Sequence, residues 1–159
     1  MNRTKTIIIL LNLIIFLLYI NWSIAQKEKT LETGVLALFE LAPVDPRSLM
    51  QGDFMNLNYR MFRDTSVKQK RGYCVFFLDD NKVAQKLRLQ TDTEPLADRE
   101  YMVKYFMNGA RMRFGAESYF FEEGTGKRYE DARYGGLRID ADGSSVLVGL
   151  YDEKYGLIH

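Results

Sequence analysis

Three carboxylates in this chain could perform acid–base chemistry or hold a hard cation: Asp45, Asp53 and Glu117. Carboxylate oxygens are the ligands that Ca²⁺ and Mg²⁺ prefer, and two carboxylates can act as a general acid and a general base. The acidic residues that follow Glu117 lack the spacing and the glycine pattern of a calcium loop. Glu122 and Glu123 are adjacent, so a strand would point them to opposite faces. A carboxylate site and a solvated acidic edge both remain open.

The chain has few residues for thiol or imidazole chemistry, because it contains one cysteine and one histidine. The single cysteine, Cys74, excludes an intramolecular disulfide and a multi-thiolate metal site. It lies in the apolar run Tyr73–Leu78, which favours a small buried hydrophobe over a reactive nucleophile. The only histidine, His159, is the last residue, a position that argues against a catalytic role. We therefore predict no catalytic residue, no metal site, no cofactor and no enzymatic activity.

The charge balance argues against a nucleic-acid partner. Of the 22 basic residues, Arg3 and Lys5 lie before residue 26, which leaves 20 basic and 21 acidic residues in the rest of the chain. Nucleic-acid-binding domains usually carry a clear excess of positive charge. We expect the partners of this chain to be a membrane and proteins within it.

The N-terminal segment is apolar enough to enter a membrane. Ile7–Ile20 is apolar except for Asn12, and Tyr19 and Trp22 lie near its far end, where amphipathic rings prefer the membrane interface. A retained transmembrane anchor is the favoured interpretation because the stretch is long and ends in aromatic residues. It predicts a single-pass protein of the inner (cytoplasmic) membrane with its soluble domain outside the cytoplasm.

A cleavable signal peptide is the alternative. Ser23-Ile24-Ala25 before Gln26 would serve as a cleavage site. Lys27 and Lys29 follow closely and weaken the charge bias that orients a membrane helix. We divide the chain into a membrane anchor or signal segment (1–25), a polar stalk or helical extension (26–33) and a β-rich domain (34–159).

From Gly34 onward, apolar and polar residues alternate with a period of two, as is typical of strands. The fold class predicted is mainly β: an N-terminal transmembrane or signal helix, then one small antiparallel β-sheet or barrel-like domain with a short helix. The predicted strands are Val35–Leu41, Asp53–Phe62, Gly72–Asp79, Val83–Gln90, Tyr101–Met107, Ala110–Phe114 and the hairpin arms Leu137–Ile139 and Val146–Leu150.

Turn residues separate these strands. Asn108-Gly109 favours a type I′ hairpin turn, and Asp142-Gly143 predicts the turn of the last hairpin. Thr125–Arg133 is predicted as one short helix with Thr125 as its N-cap. Ser118–Phe121 either continues the sixth strand or begins another.

Two strands have predicted positions or faces. Gly72–Asp79 is apolar on both faces, which predicts a central strand. In the next strand, Val83, Leu87 and Leu89 alternate with polar residues, which predicts a single apolar face.

The segment before the second strand has a distinctive composition. Asp45-Pro46-Arg47-Ser48 fits a type I turn, with Asp at the first position and Pro at the second. Gly52 supplies a backbone conformation that other residues resist. Arg47 could pair with Asp45, with Asp53 or with a more distant acid. A rigid corner that feeds a core strand and a recognition surface are both compatible with this pattern.

Alternation separates the residues that follow. Leu57 and Tyr59 lie on the apolar face and are predicted to be core. Phe54 lies on the other face with Asn56 and Asn58, which would be a partner or membrane surface or would be covered by another strand.

Gly52-Asp53-Phe54-Met55-Asn56-Leu57-Asn58-Tyr59 resembles the Gly-Asp-Tyr-x-x-Leu-x-Tyr motif of the GDYXXLXY protein family, and the segments 43–49 and 113–124 also resemble that family. The resemblance implies a membrane-anchored bacterial protein of unknown activity, often encoded beside multi-pass membrane proteins. Phe54 departs from the motif's Tyr, so phenol chemistry is not expected there. The candidate interaction residues are Asp45, Pro46, Arg47, Gly52, Asp53, Phe54, Leu57, Tyr59 and Glu117.

A weaker resemblance is to the type I signal peptidases, whose active-site segment reads Ser-Met-x-Pro-Thr-Leu-x-x-Gly-Asp on a membrane-anchored β domain. Aligned on Gly52-Asp53, Leu49 matches and Ser48 replaces the Thr, but the nucleophile position falls on Val44. Because valine cannot attack a carbonyl, a Ser-Lys dyad is not predicted.

The sequence therefore predicts a membrane-anchored extracytoplasmic accessory or binding protein that acts with a multi-pass membrane partner. The alternative is an envelope hydrolase or metal-dependent enzyme that uses Asp45, Asp53 and Glu117 on a signal-peptidase-like β architecture. A β module whose signature serves folding alone is the third possibility.

Overall fold

The computed structural model describes residues 3–42, 54–62, 69–109 and 111–159. Within these ranges, one long helix, α1 (Arg3–Thr33), precedes nine short strands and two 3-10 turns, Arg60–Phe62 and Gly126–Tyr129. The prediction of a mainly β fold behind an N-terminal helix is confirmed. The strands are β1 (Val35–Glu40), β2 (Phe54–Asn56), β3 (Arg71–Leu78), β4 (Ala84–Gln90), β5 (Glu100–Asn108), β6 (Arg111–Arg113), β7 (Ser118–Phe120), β8 (Tyr134–Ile139) and β9 (Ser145–Tyr151).

The strands form three antiparallel sheets in the described part of the chain. Their orders are β1-β8-β9, β2-β7 and β4-β3-β5-β6, so β3 is central, as predicted. Backbone hydrogen bonds join the sheets: the Leu38 amide donates to the Lys82 carbonyl at 2.8 Å, and the Ala42 amide, after β1, donates to the Asn58 carbonyl, after β2, at 2.6 Å. The three sheets therefore share one core.

Aromatic rings fill the centre of that core. The ring of Phe39 lies 5.4 Å from that of Phe76, 5.5 Å from that of Phe114 and 6.1 Å from that of Tyr59, and all four residues are buried. Aromatic pairs of this kind contribute about 0.5–1.5 kcal/mol each beyond the burial of their area. Phe39 thus links the three-stranded sheet to both of the others.

The end of α1 is attached to the β domain. Thr30 is 4% exposed, and its carbonyl accepts a hydrogen bond from the Gly34 amide at 2.9 Å. Arg138 Nη1 donates to the Gly34 carbonyl at 2.8 Å, which fixes the helix end to β8. The predicted stalk, 26–33, is therefore a continuation of the helix.

The rest of α1 extends away from the domain with its apolar side chains exposed. In the part of the chain that the structure describes, α1 is the one helix long and apolar enough to cross a membrane. The same properties fit a signal sequence.

The second predicted strand was too long. Only Phe54–Asn56 is strand, and a 3-10 turn occupies Arg60–Phe62, although the proposed start at Asp53 lies outside the described residues. Leu57 and Tyr59 are nevertheless buried, as alternation predicts. The Leu57 amide donates to the Glu117 carbonyl, and Tyr59 forms an isolated β-bridge with Leu41.

The predicted face of the fourth strand was wrong at Leu87, which is 46% exposed. Val75 pairs with Arg88 and Phe76 pairs with Lys86, so Leu87 is the extra residue of a β-bulge. A bulge breaks the period-two rule, and alternation cannot predict it.

The predicted helix over Thr125–Arg133 is only a 3-10 turn, Gly126–Tyr129. The Thr125 hydroxyl does not cap this turn; it donates to the Glu122 carbonyl at 2.6 Å. The two predicted hairpins are present: Asn108 pairs with Arg111, and Ile139 pairs with Ser145. Asn108 is paired in the β5-β6 ladder, so the turn of this hairpin begins at Gly109, which has φ +60°, and not at Asn108 as predicted.

Candidate functional site

The structure describes four of the nine candidate residues: Phe54, Leu57, Tyr59 and Glu117. These four differ in environment: Leu57 and Tyr59 are buried, Glu117 is half-buried, and Phe54 is exposed on the β2-β7 sheet. The others, Asp45, Pro46, Arg47, Gly52 and Asp53, lie outside the described residues.

Tyr59 is a buried structural donor. Its hydroxyl donates to the Ala116 carbonyl oxygen at 2.6 Å, and its ring lies 4.5 Å from that of Phe114. Gly135 lies directly against the ring, where a Cβ would come within 2.9 Å of the Tyr59 Cε1 atom. Burial, and then the nearby Glu117 carboxylate, raise the pKa of the Tyr59 phenol above its ordinary value. Tyr59 therefore remains a neutral hydrogen-bond donor.

Glu117 holds a turn together. Its Oε1 accepts hydrogen bonds from the amides of Phe114, at 2.7 Å, and Gly115, at 3.3 Å. Gly115 has φ +84°, which favours glycine. The Glu117 carbonyl also accepts from the Leu57 amide. The spacing Phe-Gly-x-Glu, which brings a carboxylate back to amides two and three residues earlier, is the sequence signal for this role.

Phe54 pairs with Phe120 across the β2-β7 sheet. The two residues are cross-strand partners, and their ring centroids are 5.8 Å apart. Phe54 is 36% exposed and Phe120 is 73% exposed, whereas their neighbours Met55 and Tyr119 turn towards the protein. We call Phe54 and Phe120 the aromatic pair. Its two contacting rings form an exposed apolar surface on this sheet.

Phe120 also borders a cleft of about 520 Å³. Glu122 and Arg128, which carry charges of opposite sign, also line it, as does His159. The sequence singled out neither Phe120 nor Arg128 as a site residue. Only a knowledge of which strand pairs with β2 would have brought Phe120 beside the signature.

A second cavity, of about 680 Å³, contains Tyr105 and is walled by Tyr73, Phe106 and Phe114, with Arg71 beside them. Tyr105 is 3% exposed, and its hydroxyl has no hydrogen-bond partner among the described residues. Burial raises the pKa of its phenol, so the hydroxyl stays protonated.

Metal and nucleophile chemistry gains no support in the described ranges. No three His, Cys, Asp or Glu side chains within them come close enough to hold a metal ion. Cys74 is fully buried, as predicted, and burial raises the pKa of its thiol to about 12. A hydrolase that used Asp45, Asp53 and Glu117 would have to share the Glu117 carboxylate with the turn that it holds.

Comparison with known proteins identifies the chain at the level of a family. The family model described as GDYXXLXY protein matches residues 16–150 of the 159-residue chain. Comparisons with curated proteins and with solved structures gave no match. The match covers most of the chain, so the chain belongs to the GDYXXLXY protein family.

Proposed function

We propose that this member of the GDYXXLXY family is a membrane-anchored accessory protein whose β domain lies outside the cytoplasm and binds a multi-pass membrane partner. The aromatic pair, Phe54 and Phe120, is the centre of the binding surface. The β domain presents this surface, and α1 holds the domain at the membrane.

The observation that carries the proposal is the exposure of the aromatic pair. Among the described candidate residues, Leu57, Tyr59 and Glu117 make structural contacts within the fold, whereas Phe54 is exposed on the same face as Asn56 and Asn58. Exposed aromatic rings that contact each other across a sheet are typical of interface anchors, because they bury a large area at little cost in side-chain entropy.

Helix α1 supports the membrane location. Its apolar side chains between Ile7 and Ile24 are exposed, and its 31 residues correspond to about 46 Å at 1.5 Å per residue. That length exceeds the roughly 30 Å of a bilayer core by several turns, which suits a helix that crosses the membrane and then continues into the β domain at Thr30.

Co-purification in mild detergent tests the proposal. The full chain, expressed in cells that also express a neighbouring membrane gene, should recover one discrete membrane partner. The double variant Phe54→Ala/Phe120→Ala should lower the recovered partner by at least about 10-fold, as is usual when interface anchors are truncated. Phe77→Ala is the matched control, because Phe77 is an aromatic residue on β3 with similar exposure, 39%.

Recovery of monomeric protein alone would count heavily against a partner. Equal loss of the partner from the Phe77 control would show that the aromatic pair is not the binding surface. The intact mass of the protein from the membrane fraction tests the anchor separately. We expect a chain that retains residues 1–25. A chain that starts at Gln26 would show that this segment is a cleaved signal peptide and not an anchor.

A further inference from the structure

One face of α1 carries a line of polar side chains that continues from the β domain into the apolar segment. The residues recur every three or four positions, which is the spacing that keeps side chains on one side of a helix. We call this line the polar stripe. Its members are Asn12, Phe16, Tyr19, Ser23, Gln26 and Thr30, with Phe16 as the apolar member.

The upper end of the stripe faces the β domain. Thr30 is buried, and Ser23 and Gln26 line a cleft of about 530 Å³ between α1 and the β8–β9 hairpin. Asp140 and Ser145 form the opposite side of the cleft. The stripe therefore lies on the side of the helix over which the β domain extends.

The lower end of the stripe is uncovered. Asn12 precedes Gln26 by 14 residues, which is almost four complete turns of about 3.6 residues, so both lie on the domain side of α1. Tyr19 is 65% exposed. The Asn12 Nδ2 atom donates to the Ile8 carbonyl at 3.0 Å, and its Oδ1 accepts no hydrogen bond from the described residues.

Such an acceptor needs a partner if α1 spans a membrane. Asn12 lies well inside the apolar run Ile7–Ile20, where lipid tails offer no donor. Polar side chains within transmembrane helices usually face other helices and form interhelical hydrogen bonds. Asn21 differs, because it lies on the opposite face and beside Trp22, close to the expected interface.

We propose that the polar stripe below the β domain packs against a transmembrane helix of a different membrane protein, which donates a hydrogen bond to Asn12 Oδ1. This inference rests on the proposed function, because it requires α1 to be retained in the membrane. The three- and four-residue steps of the stripe match the a and d positions of a heptad, which favours a left-handed crossing of the two helices.

A second copy of this chain does not fit that position. In a parallel dimer, the second α1 would continue past its own Trp22 to Thr33 along the face that the first chain's β8–β9 hairpin already occupies. A partner helix that ends in a loop at the membrane surface can lie beneath the overhanging domain. The occupant is therefore a helix of another protein.

Photo-crosslinking of the full chain in native membranes tests the inference. Benzoyl-phenylalanine is placed at one position at a time, in pairs at similar depth on opposite faces. The stripe positions are 16 and 19, which leave Asn12 in place, and the control positions are 14 and 17. We expect the stripe positions to crosslink to one multi-spanning membrane protein and the control positions to react with lipid.

Substitution of Asn12 provides an independent readout. Asn12→Leu should lower the recovered partner about 3- to 30-fold, the range for an interhelical hydrogen bond. Asn21→Leu is the control and should change recovery little.

Several outcomes would overturn the inference. These are a crosslinked dimer of the chain itself, equal crosslinking from both faces, no protein crosslink from the stripe, or unchanged partner recovery with Asn12→Leu. If recovery depends on the aromatic pair while the stripe gives no crosslink, the inference fails and the proposed function stands. If no partner is recovered by either route, the proposed function fails as well.

Discussion

The Tyr59 hydroxyl donates a hydrogen bond of 2.6 Å to the carbonyl oxygen of Ala116, and this bond connects the two most distinctive segments of the chain. Tyr59 ends the Gly-Asp-Phe signature, while Ala116 lies in the turn that Glu117 holds. The motif that characterises the family therefore serves, in its Leu57 and Tyr59 positions, to assemble the β domain. In the function that we propose, binding rests on the exposed pair of Phe54 and its cross-strand partner Phe120.

Tyr59→Phe should lower the free energy of unfolding by about 1–3 kcal/mol, because the carbonyl oxygen of Ala116, a buried residue, loses its hydrogen-bond donor. Tyr105→Phe is the matched control. Its hydroxyl has no partner among the described residues, so its removal should leave stability unchanged or raise it. Denaturant unfolding of the full chain in detergent compares the two. Equal destabilisation by both variants would contradict the assignment.

Glu117 should behave as a turn residue. Glu117→Ala removes the acceptor of the Phe114 and Gly115 amides and should cost about 1–3 kcal/mol. Glu117→Gln keeps a side-chain oxygen and should retain most of the stability. Thermal unfolding measures both variants, and partner recovery from the stable Gln variant should equal that of the wild type. Loss of function in a fully stable Glu117→Gln variant would instead favour the carboxylate-enzyme alternative.

The Arg88–Glu100 pair predicts an acid-dependent loss of stability. Arg88 donates from Nη1 and Nη2 to the two Glu100 oxygens, each at 2.7 Å, and with the Ala97 amide lowers the Glu100 pKa from 4.5 to about 2. A lowered carboxyl pKa stabilises the folded state above pH 4.5, and this contribution is lost as pH falls from about 4.5 to about 2.

Glu100→Gln should therefore be less stable than the wild type at neutral pH, and the difference should shrink through that same pH range. Unfolding curves of both proteins, measured between pH 7 and pH 2, give this difference in the free energy of unfolding at each pH. Glu40→Gln, which breaks an exposed ion pair with Arg60, is the control and should change stability much less at pH 7. A Glu100→Gln difference that stayed constant down to pH 2 would refute the linkage.

Cys74 should be unreactive in the folded protein. Burial raises its pKa to about 12, and the thiolate, which is the reactive form, is scarce at neutral pH. Maleimide labelling, followed by mass spectrometry, should be at least about 100-fold faster in guanidinium than in mild detergent. Rapid labelling of the folded chain would mean that the β3 core opens readily.

The sequence predicted the parts of the fold that depend on local periodicity. Alternation assigned Leu57 and Tyr59 to the core and Phe54 to the opposite face, and the structure agrees. It could not predict that β7 pairs with β2, because register between distant strands depends on tertiary packing. Phe120 was therefore not recognised as the neighbour of Phe54.

The bulge at Leu87 is a second feature that local periodicity could not predict. An extra residue in one strand reverses the faces of its neighbours, and nothing in the alternation of Val83, Leu87 and Leu89 reveals it. The Glu117 turn, by contrast, was open to prediction from the Phe-Gly-x-Glu spacing, since a carboxylate and the amides that it binds are only a few residues apart.

The most direct test of the proposed function is photo-crosslinking from the aromatic pair in intact membranes. Benzoyl-phenylalanine at position 120 should crosslink to a separate, multi-pass membrane protein, and the same probe at position 77 on β3 should not. Crosslinking to that protein from both positions alike, or from neither, would contradict the claim that Phe54 and Phe120 form the binding surface of a membrane-anchored accessory protein.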